Sequence, residues 1–464
     1  MTALLIDFGS TFTKLTAADL KVGKLIGSAA AYTTVETDVG EGLAVALAEL
    51  KAQTGIGSFD ARLACSSAAG GLRMVVCGFT PEFTAEAAKM ASLGAGAKVV
   101  GAYSYMLTDE DIAEIVAAPP DILLLTGGTD YGNRRCILHN AQMLAGCAAD
   151  FPIIIAGNRI CAEECERLLS GREVYLCDNV MPEPRKLNIE PTQERIRELF
   201  LRRIVQAKGL TREAELLSGI LMPTPTAVMS AMELLAKGTD MQPGLGELIA
   251  VDLGGATTDV YSMASGAPCS GGTVVLGLPE PWAKRTVEGD IGMRYGAAGV
   301  LEAVGAGRLA ELSGLDESAI PALVEGLGAA DLPDTPERAA LDFALASAAV
   351  ETAISRHAGT ASEAWTPHGN VRFQYGKDLT GVGTLVATGG ALIHSPDAAK
   401  IAAHALQIPL TRALHNLAAP QPLSPKAAQV RIDRRYILSA MGLLADKHPD
   451  VALSIMTNEL TLYS

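Results

Sequence analysis

Two short stretches, far apart in the chain, constrain its fold more than any other feature. The first, LLIDFGSTFTKLTAADL, spans residues 4–20, and the second, ELIAVDLGGATTDVYS, spans 247–262. Each runs from an apolar strand to an aspartate, one apolar residue, a glycine, small or hydroxylated residues and a second strand-like run. Asp7-Phe8-Gly9-Ser10-Thr11 aligns with Asp252-Leu253-Gly254-Gly255-Ala256. A plain turn uses Gly9 and Asp7; it has no need of Ser10, Thr11, Thr13 and Lys14 as well. Two such hairpins predict two similar half-domains facing each other across a cleft.

At 464 residues the chain is too long for one ordinary core, so two or more domains are expected. Hydrophobic residues at 49% and charged residues at 19% give a globular composition, not a disordered one. A net charge of -15 argues against nucleic acid, whose phosphates call for Lys and Arg, and more weakly against an anionic membrane surface. Aromatics at 5% leave little for base stacking. The start of the chain has no basic lead, and Asp7 directly follows Ile6, which does not read as a signal peptide. The apolar runs 122–125 and 153–156 are too short to span a bilayer. A cytoplasmic protein is expected. The cysteines Cys65, Cys77, Cys136, Cys147, Cys161, Cys165, Cys177 and Cys269 read as free, buried thiols. Cys161 and Cys165, one helical turn apart in CAEEC, leave a metal or cluster open, but no second close pair completes four ligands. The histidines are scattered without ligand spacing.

The chain divides into three stretches. Residues 1–72 are strand-rich and read as a first lobe. Residues 73–215 alternate short β-like runs (74–79, 98–104, 121–126, 153–156, 173–176) with amphipathic helical ones (82–92, 109–117, 134–146, 162–169), a pattern of βαβ units and a parallel sheet. This insert reads as Rossmann-like or flavodoxin-like. Its LLLTGGTDYGN, residues 123–133, ends a strand where such sheets place ligands; a Gly-rich turn is the equal alternative. The Pro-rich 178–191 reads as a connector before a charged helix at 192–208. Residues 216–464 form a second α/β lobe, with helices near 226–237, 292–304 and 341–357.

The hairpin tips carry specific chemistry. Glycines let successive N–H groups approach phosphate oxygens, Ser and Thr hydroxyls add donors, and Lys14 adds a positive charge. Asp7 and Asp252 would repel phosphate directly, but fit if a hydrated Mg²⁺ lies between.

These paired hairpins resemble the phosphate motifs of the actin, sugar kinase and heat-shock chaperone superfamily of ATPases. Lys14 falls on the phosphate-contacting lysine of actin's Asp-x-Gly-Ser-x-x-x-Lys loop. A late Gly-Gly loop for adenosine is the third element of that superfamily, and TLVATGGALIHSP (384–396) supplies Gly389, Gly390 and Ala391. MPTPTAVM (222–229) resembles the Glu-Pro-Thr-Ala stretch of the chaperones, with Thr224 where they carry a glutamate that helps place the attacking water. VEGDIGMRYGAAGV (287–300) resembles the segment after their second hairpin; Asp290 there is either a helix N-cap or a functional acid.

DFGSTFTK, LTGGTDYGN, IIIAGNR, MPTPTAV, VDLGGATTD, EPWAKRTVEGDIGMRYG and LSPKAAQVRIDRRYILSAMGLLA together resemble, over nearly the whole chain, the glutamate mutase accessory family called GlmL or MutL. The resemblance implies an α/β protein with two actin-like, ribonuclease H-like ATPase lobes around a nucleotide cleft. It implies ATP and ADP as ligands, Mg²⁺ as cofactor, and an adenosylcobalamin-dependent mutase subunit as partner. Gly9, Ser10, Thr11, Thr13 and Lys14 would hold phosphates on one lobe, and Gly254, Gly255, Ala256, Thr257 and Thr258 on the other. Asp7 and Asp252 would hold Mg²⁺ through water, with Asp252 orienting the attacking water. Asp259 would share that role or cap a turn. Loss of the γ-phosphate and Mg²⁺ would let the cleft open, a hinge motion coupled to a docked mutase subunit. Other classes stay open: a small-molecule kinase, a dehydratase activator with an iron–sulfur cluster (Cys136, Cys161, Cys165, Cys177), and a nucleotide-binding scaffold that hydrolyses nothing, which Thr224 favours. Trp282, Lys284 and Arg285 in EPWAKR read as a solvated loop. The sequence leaves the oligomeric state open, a homodimer included.

Overall fold

The computed structural model describes all residues except Ser10, 34–38, 68–71, 208–219, 329–331, His368, 407–419 and Ser464. The chain divides into two units. The first comprises residues 1–230, 277–279 and 439–451; the second comprises 231–276, 280–438 and 452–464.

The first unit opens with a meander of β1 (Thr2–Phe8), β2 (Phe12–Asp19) and β3 (Lys24–Tyr32), and β4 (Ala61–Ser66) then returns parallel to β1. The chain next enters the insert, with β5 (Arg73–Gly78), β6 (Lys98–Ser104), β7 (Ile122–Leu125), β8 (Ile153–Ile155) and β9 (Val174–Leu176). It comes back with β10 (Ile220–Pro223), which pairs parallel to β4. The main sheet therefore has the order β10-β4-β1-β2-β3, in which only β2 runs against the others.

The insert sheet is wholly parallel, in the order β6-β5-β7-β8-β9. That is the doubly wound 2-1-3-4-5 order, so of the two readings left open by the sequence the flavodoxin-like one holds. Its inner strands β7 and β8 are continuous apolar runs because both faces are covered. Ile122, Leu124 and Ile154 face one core, and Leu123, Leu125, Ile153 and Ile155 face the other. The helix Asp109–Ala117 starts on a full capping box between Thr108 and Asp111.

The second unit repeats the first unit's plan. Strands β11 (Leu248–Leu253) and β12 (Thr258–Met263) form a hairpin. After β13 (Thr273–Leu276), β14 (Ala283–Glu288) pairs antiparallel to β12. Strands β15 (Thr360–Thr366) and β16 (Gly369–Tyr375) form another hairpin, and β17 (Thr384–Thr388) lies parallel to β11. After β18 (Gln421–Pro422), β19 (Gln429–Ile432) lies parallel to β17, and β20 (Thr461–Tyr463) closes the edge. The order β14-β12-β11-β17-β19 is again 3-2-1-4-5 with one reversed strand. Two sheets of this ribonuclease H-like topology are what the repeated hairpin predicts.

A four-stranded sheet, β13-β16-β15-β18, has no counterpart in the sequence reading. Val274, Val275, Trp365 and Tyr375 on it are exposed, so it lacks the half-buried alternation by which strands are recognised. Two further expectations fail. EPWAKR is not a solvated loop: residues 283–288 form β14, Arg285 is buried, and the Lys237 ammonium sits 4.5 Å from the Trp282 ring centre. Asp290 caps no helix, because that helix runs Ala297–Ser313 from Gly296. Among the cysteines, Cys269 is exposed and Cys177 half-buried, whereas the other six are buried.

In the second unit the Lys377 side chain is fully buried. Its ammonium donates to the carbonyls of Trp282 (2.7 Å) and Ser262 (3.4 Å) and to the Ser262 hydroxyl (3.2 Å). Burial pulls its pKa down from the ordinary 10.5 to about 7. Between those values the unfolded chain binds the extra proton. The cost of burying the charge is therefore full below pH 7 and is relieved as pH rises toward 10.5. Chemical denaturation at pH 7 and pH 9.5 is expected to show a rise in stability that Lys377→Met flattens; equal slopes in both proteins would refute this.

Candidate functional site

The two hairpins coincide residue for residue. Asp7 stands opposite Lys14 and Phe8 opposite Thr13; Asp252 stands opposite Asp259 and Leu253 opposite Thr258. Each tip is closed by one backbone bond, Gly9 N–H to Phe12 C=O (3.1 Å) and Gly254 N–H to Thr257 C=O (3.0 Å). A β-carbon on Gly9 would lie 2.6 Å from the Phe12 carbonyl oxygen, so the tight turn requires glycine there.

In the first unit Asp7 is buried and well partnered. Its carboxylate accepts from the Thr224 hydroxyl (2.6 Å), the Ser439 hydroxyl (3.2 Å) and the Cys65 thiol (3.6 Å), and the Lys14 ammonium lies 3.9 Å away. Burial, then the neighbouring Asp7 charge, raises the Cys65 pKa well above the ordinary value, so the thiol stays protonated and donates. Sequence reasoning missed Ser439. It reaches Asp7 because Gly442 packs onto residue 227: a β-carbon there would sit 1.8 Å from the Ala227 carbonyl oxygen. The sequence signal was slight, a serine and a glycine three residues apart in an otherwise apolar LSAMGLL. Thr224, which stands where the chaperones carry a glutamate, lies beside Asp7 with its hydroxyl engaged as a donor to that carboxylate. Thr224→Val should cost about 1.5–3 kcal/mol in urea denaturation, the usual loss for a hydrogen bond to a charged group. An unchanged midpoint would mean that Asp7 has no need of this donor.

In the second unit Asp252 is half-buried at the end of β11, with Gly255 in open space beyond it. The tip is braced from behind. Met293 N–H donates to the Gly254 carbonyl (3.1 Å) and Arg294 N–H to the Gly255 carbonyl (2.8 Å), while the Arg294 guanidinium is held by both Asp342 oxygens (3.0 and 2.7 Å). Across each trans peptide the Gly255 and Ala256 N–H groups lie opposite those engaged carbonyls, the polarity an anion needs, and both residues are exposed. The Gly-Gly loop lies alongside. Gly389 (φ 99°) would place a β-carbon 2.3 Å from the Leu253 carbonyl oxygen, which brings Gly389, Gly390 and Ala391 next to the hairpin. Buried Asp433, unnoticed in the sequence, anchors this corner. It accepts from the Thr388 hydroxyl (3.2 Å) and from Ile437 and Leu438 N–H (2.9 and 3.3 Å).

Three candidates take other positions. Thr13 and Thr258 are fully buried, and their hydroxyls are engaged with the Thr33 hydroxyl (3.0 Å) and the Ile291 carbonyl (2.9 Å), so they point away from the tips. Asp259 caps no turn: Arg285 grips it through Nε (2.8 Å) and a terminal nitrogen (2.6 Å). Burial alone would lower the Arg285 pKa, yet the Asp259 charge raises it above the ordinary value. Thr11 is exposed at its tip, and Ser10 lies outside the described residues. Among the described residues no three or more His, Cys, Asp or Glu side chains gather to hold a metal ion. No helix among them is long and apolar enough to cross a membrane.

Two ribonuclease H-like units, each led by an Asp-x-Gly hairpin, define an α/β protein of the actin-type ATPase fold class. The family model described as MutL protein matches residues 3–460. Protein MutL of Clostridium tetanomorphum is 44% identical over 465 residues, covering 98% of each chain. The chain belongs to the MutL family. Solved structures similar to it include a ROK hexokinase from Thermus thermophilus (13% identity, 99% of each chain, TM-score 0.28). Another is the activator of 2-hydroxyisocaproyl-CoA dehydratase from Clostridium difficile with bound ADPNP (10% identity, 100% of each chain, TM-score 0.28). Likenesses this low bear on neither fold nor function here.

Proposed function

We propose that this chain binds ATP and ADP and serves as a slowly hydrolysing accessory factor that reactivates an adenosylcobalamin-dependent amino acid mutase of glutamate mutase or aminomutase type. The carrying observation is the same glycine turn built twice, each directly after an aspartate. Family membership and the Gly389–Gly390 loop beside the second turn support it. Hydrolysis would supply the free energy to expel a damaged cofactor that the mutase holds tightly.

A hydrated Mg²⁺ fits the two aspartates unequally. Asp252 borders an open glycine tip, whereas Asp7 would have to exchange hydroxyl and ammonium partners to meet a cation's water. When bound, Mg²⁺ would neutralise phosphate charge. Lys14, the hydroxyl of Thr11 and the N–H groups of Gly255 and Ala256 would orient the phosphates, and Asp252 would orient the attacking water.

Calorimetric titration with ATP and ADP, with and without Mg²⁺, tests the reading. Metal-dependent binding of both nucleotides is expected; binding of neither would overturn it. The engagement of the Thr224 hydroxyl by Asp7 favours a second reading, a nucleotide-binding scaffold without turnover. Tight ATP binding with no phosphate release, even with a mutase present, would select it.

A further inference from the structure

The insert sheet reverses its strand order between β5 and β7, and open parallel sheets form a crevice at the carboxyl ends of their strands at that reversal. In this chain the crevice is equipped. Tyr105, just after β6, and Tyr131, in the loop after β7, both hold left-handed backbone conformations (φ 66° and 63°). A simple turn would use glycine at such positions. Both loops are fixed by fully buried asparagines. Asn140 donates to the Tyr105 carbonyl (2.9 Å) and accepts from Leu107 N–H (2.9 Å). Asn158 accepts from Tyr131 N–H (3.1 Å) and donates to the carbonyls of Gly132 (3.3 Å) and Asn133 (3.2 Å). The Cys136 thiol also donates to the Tyr105 carbonyl (3.0 Å).

The result of this bracing is a pair of tyrosine rings held out to solvent, 56% and 68% exposed. Backbone strain maintained by surrounding hydrogen bonds is a mark of functional loops. The Phe79 ring meets Tyr105 edge-on at 6.3 Å between ring centres. Beside them opens a cavity of about 340 Å³ lined by Phe79, Tyr105, Met106, Asn133, Arg135 and Cys136, a size within the small-molecule range. Its walls are two aromatic rings, a thioether, a thiol kept neutral by burial, an amide and one exposed guanidinium. Arg134, next in sequence, is paired with Glu164 (3.8 Å); Arg135 has no carboxylate partner among the described residues.

We propose that this crevice binds a small planar heteroaromatic ligand carrying one anionic group, with the ring against Phe79 and Tyr105 and the anion facing Arg135. The site is separate from the two hairpins and does not depend on their function. Flavin mononucleotide is a direct probe, because stacking on an aromatic ring quenches its fluorescence. The full chain is titrated at saturating Mg-ADP, with riboflavin as the probe lacking phosphate and AMP, followed by calorimetry, as the purine counterpart.

At least one of the two monophosphates is expected to bind, and flavin mononucleotide to bind about tenfold more tightly than riboflavin through its charged contact. Arg135→Gln, on the surface, should remove that preference. Tyr105→Gly should weaken binding at least about tenfold while leaving the unfolding midpoint unchanged or raised, since glycine relaxes the left-handed backbone. Binding of neither monophosphate would overturn the proposal, as would binding that Mg-ADP displaces or binding that both variants retain in full.

Discussion

If the chain hydrolyses ATP as proposed, Asp252→Asn is expected to lower turnover by at least about a hundredfold, the loss typical when a group that handles a proton or water is neutralised. The thermal midpoint should move little. Asp252 ends β11 half-buried beside an open glycine tip, and the amide is isosteric with the carboxylate, so the substitution removes the charge without changing the side chain's volume. Phosphate release and a circular dichroism melt on the same preparation separate the two effects. Asp259→Asn is the control: Asp259 stands opposite Asp252 in the ladder but is engaged with Arg285, so its loss should fall on stability before rate. If Asp252→Asn turns over ATP at the wild-type rate, Asp252 does not orient the water.

The second large effect is structural. Arg285→Met should destabilise the protein by about 3–5 kcal/mol, the range for removing one partner of a buried ion pair. Arg285 is only 6% exposed, and without it Asp259 faces Asp252 across the ladder with its charge uncompensated. Like charges directly opposite in a sheet repel. Adding Asp259→Asn to Arg285→Met should restore most of the lost stability, because the uncompensated charge goes with it. Strictly additive losses in the double variant, measured by urea denaturation, would show that the pair is not coupled.

The hairpins were legible because turn chemistry is local: an aspartate, a glycine and the strand lengths are set within a dozen residues. The insert's parallel strands were legible for a similar reason, since ILLL at 122–125 and III at 153–155 can only be covered on both faces. The flavodoxin-like order was not, because strand order depends on how helices cross the sheet. The inward turn of Thr13 and Thr258 was also hidden, since a threonine just beyond the turn looks the same in sequence whether it faces a ligand or the core.

The long-range partners were the least legible part. Ser439 meets Asp7 across 432 positions of sequence, and nothing within LSAMGLL announces it. Arg285 read as one charge in a polar loop until β14 placed it beside Asp259. The sequence by itself determined the repeated hairpin, the Gly-Gly loop and the family, all carried by residues close together in the chain. Only the tertiary structure decided which donors reach Asp7 (Thr224 and Ser439) and Asp259 (Arg285), and that Asp252 ends its strand half-buried beside an open glycine tip. The reason is physical: the chemistry available to a carboxylate is set by burial and by the donors packed around it, and those donors arrive from segments that only the folded sheets bring together.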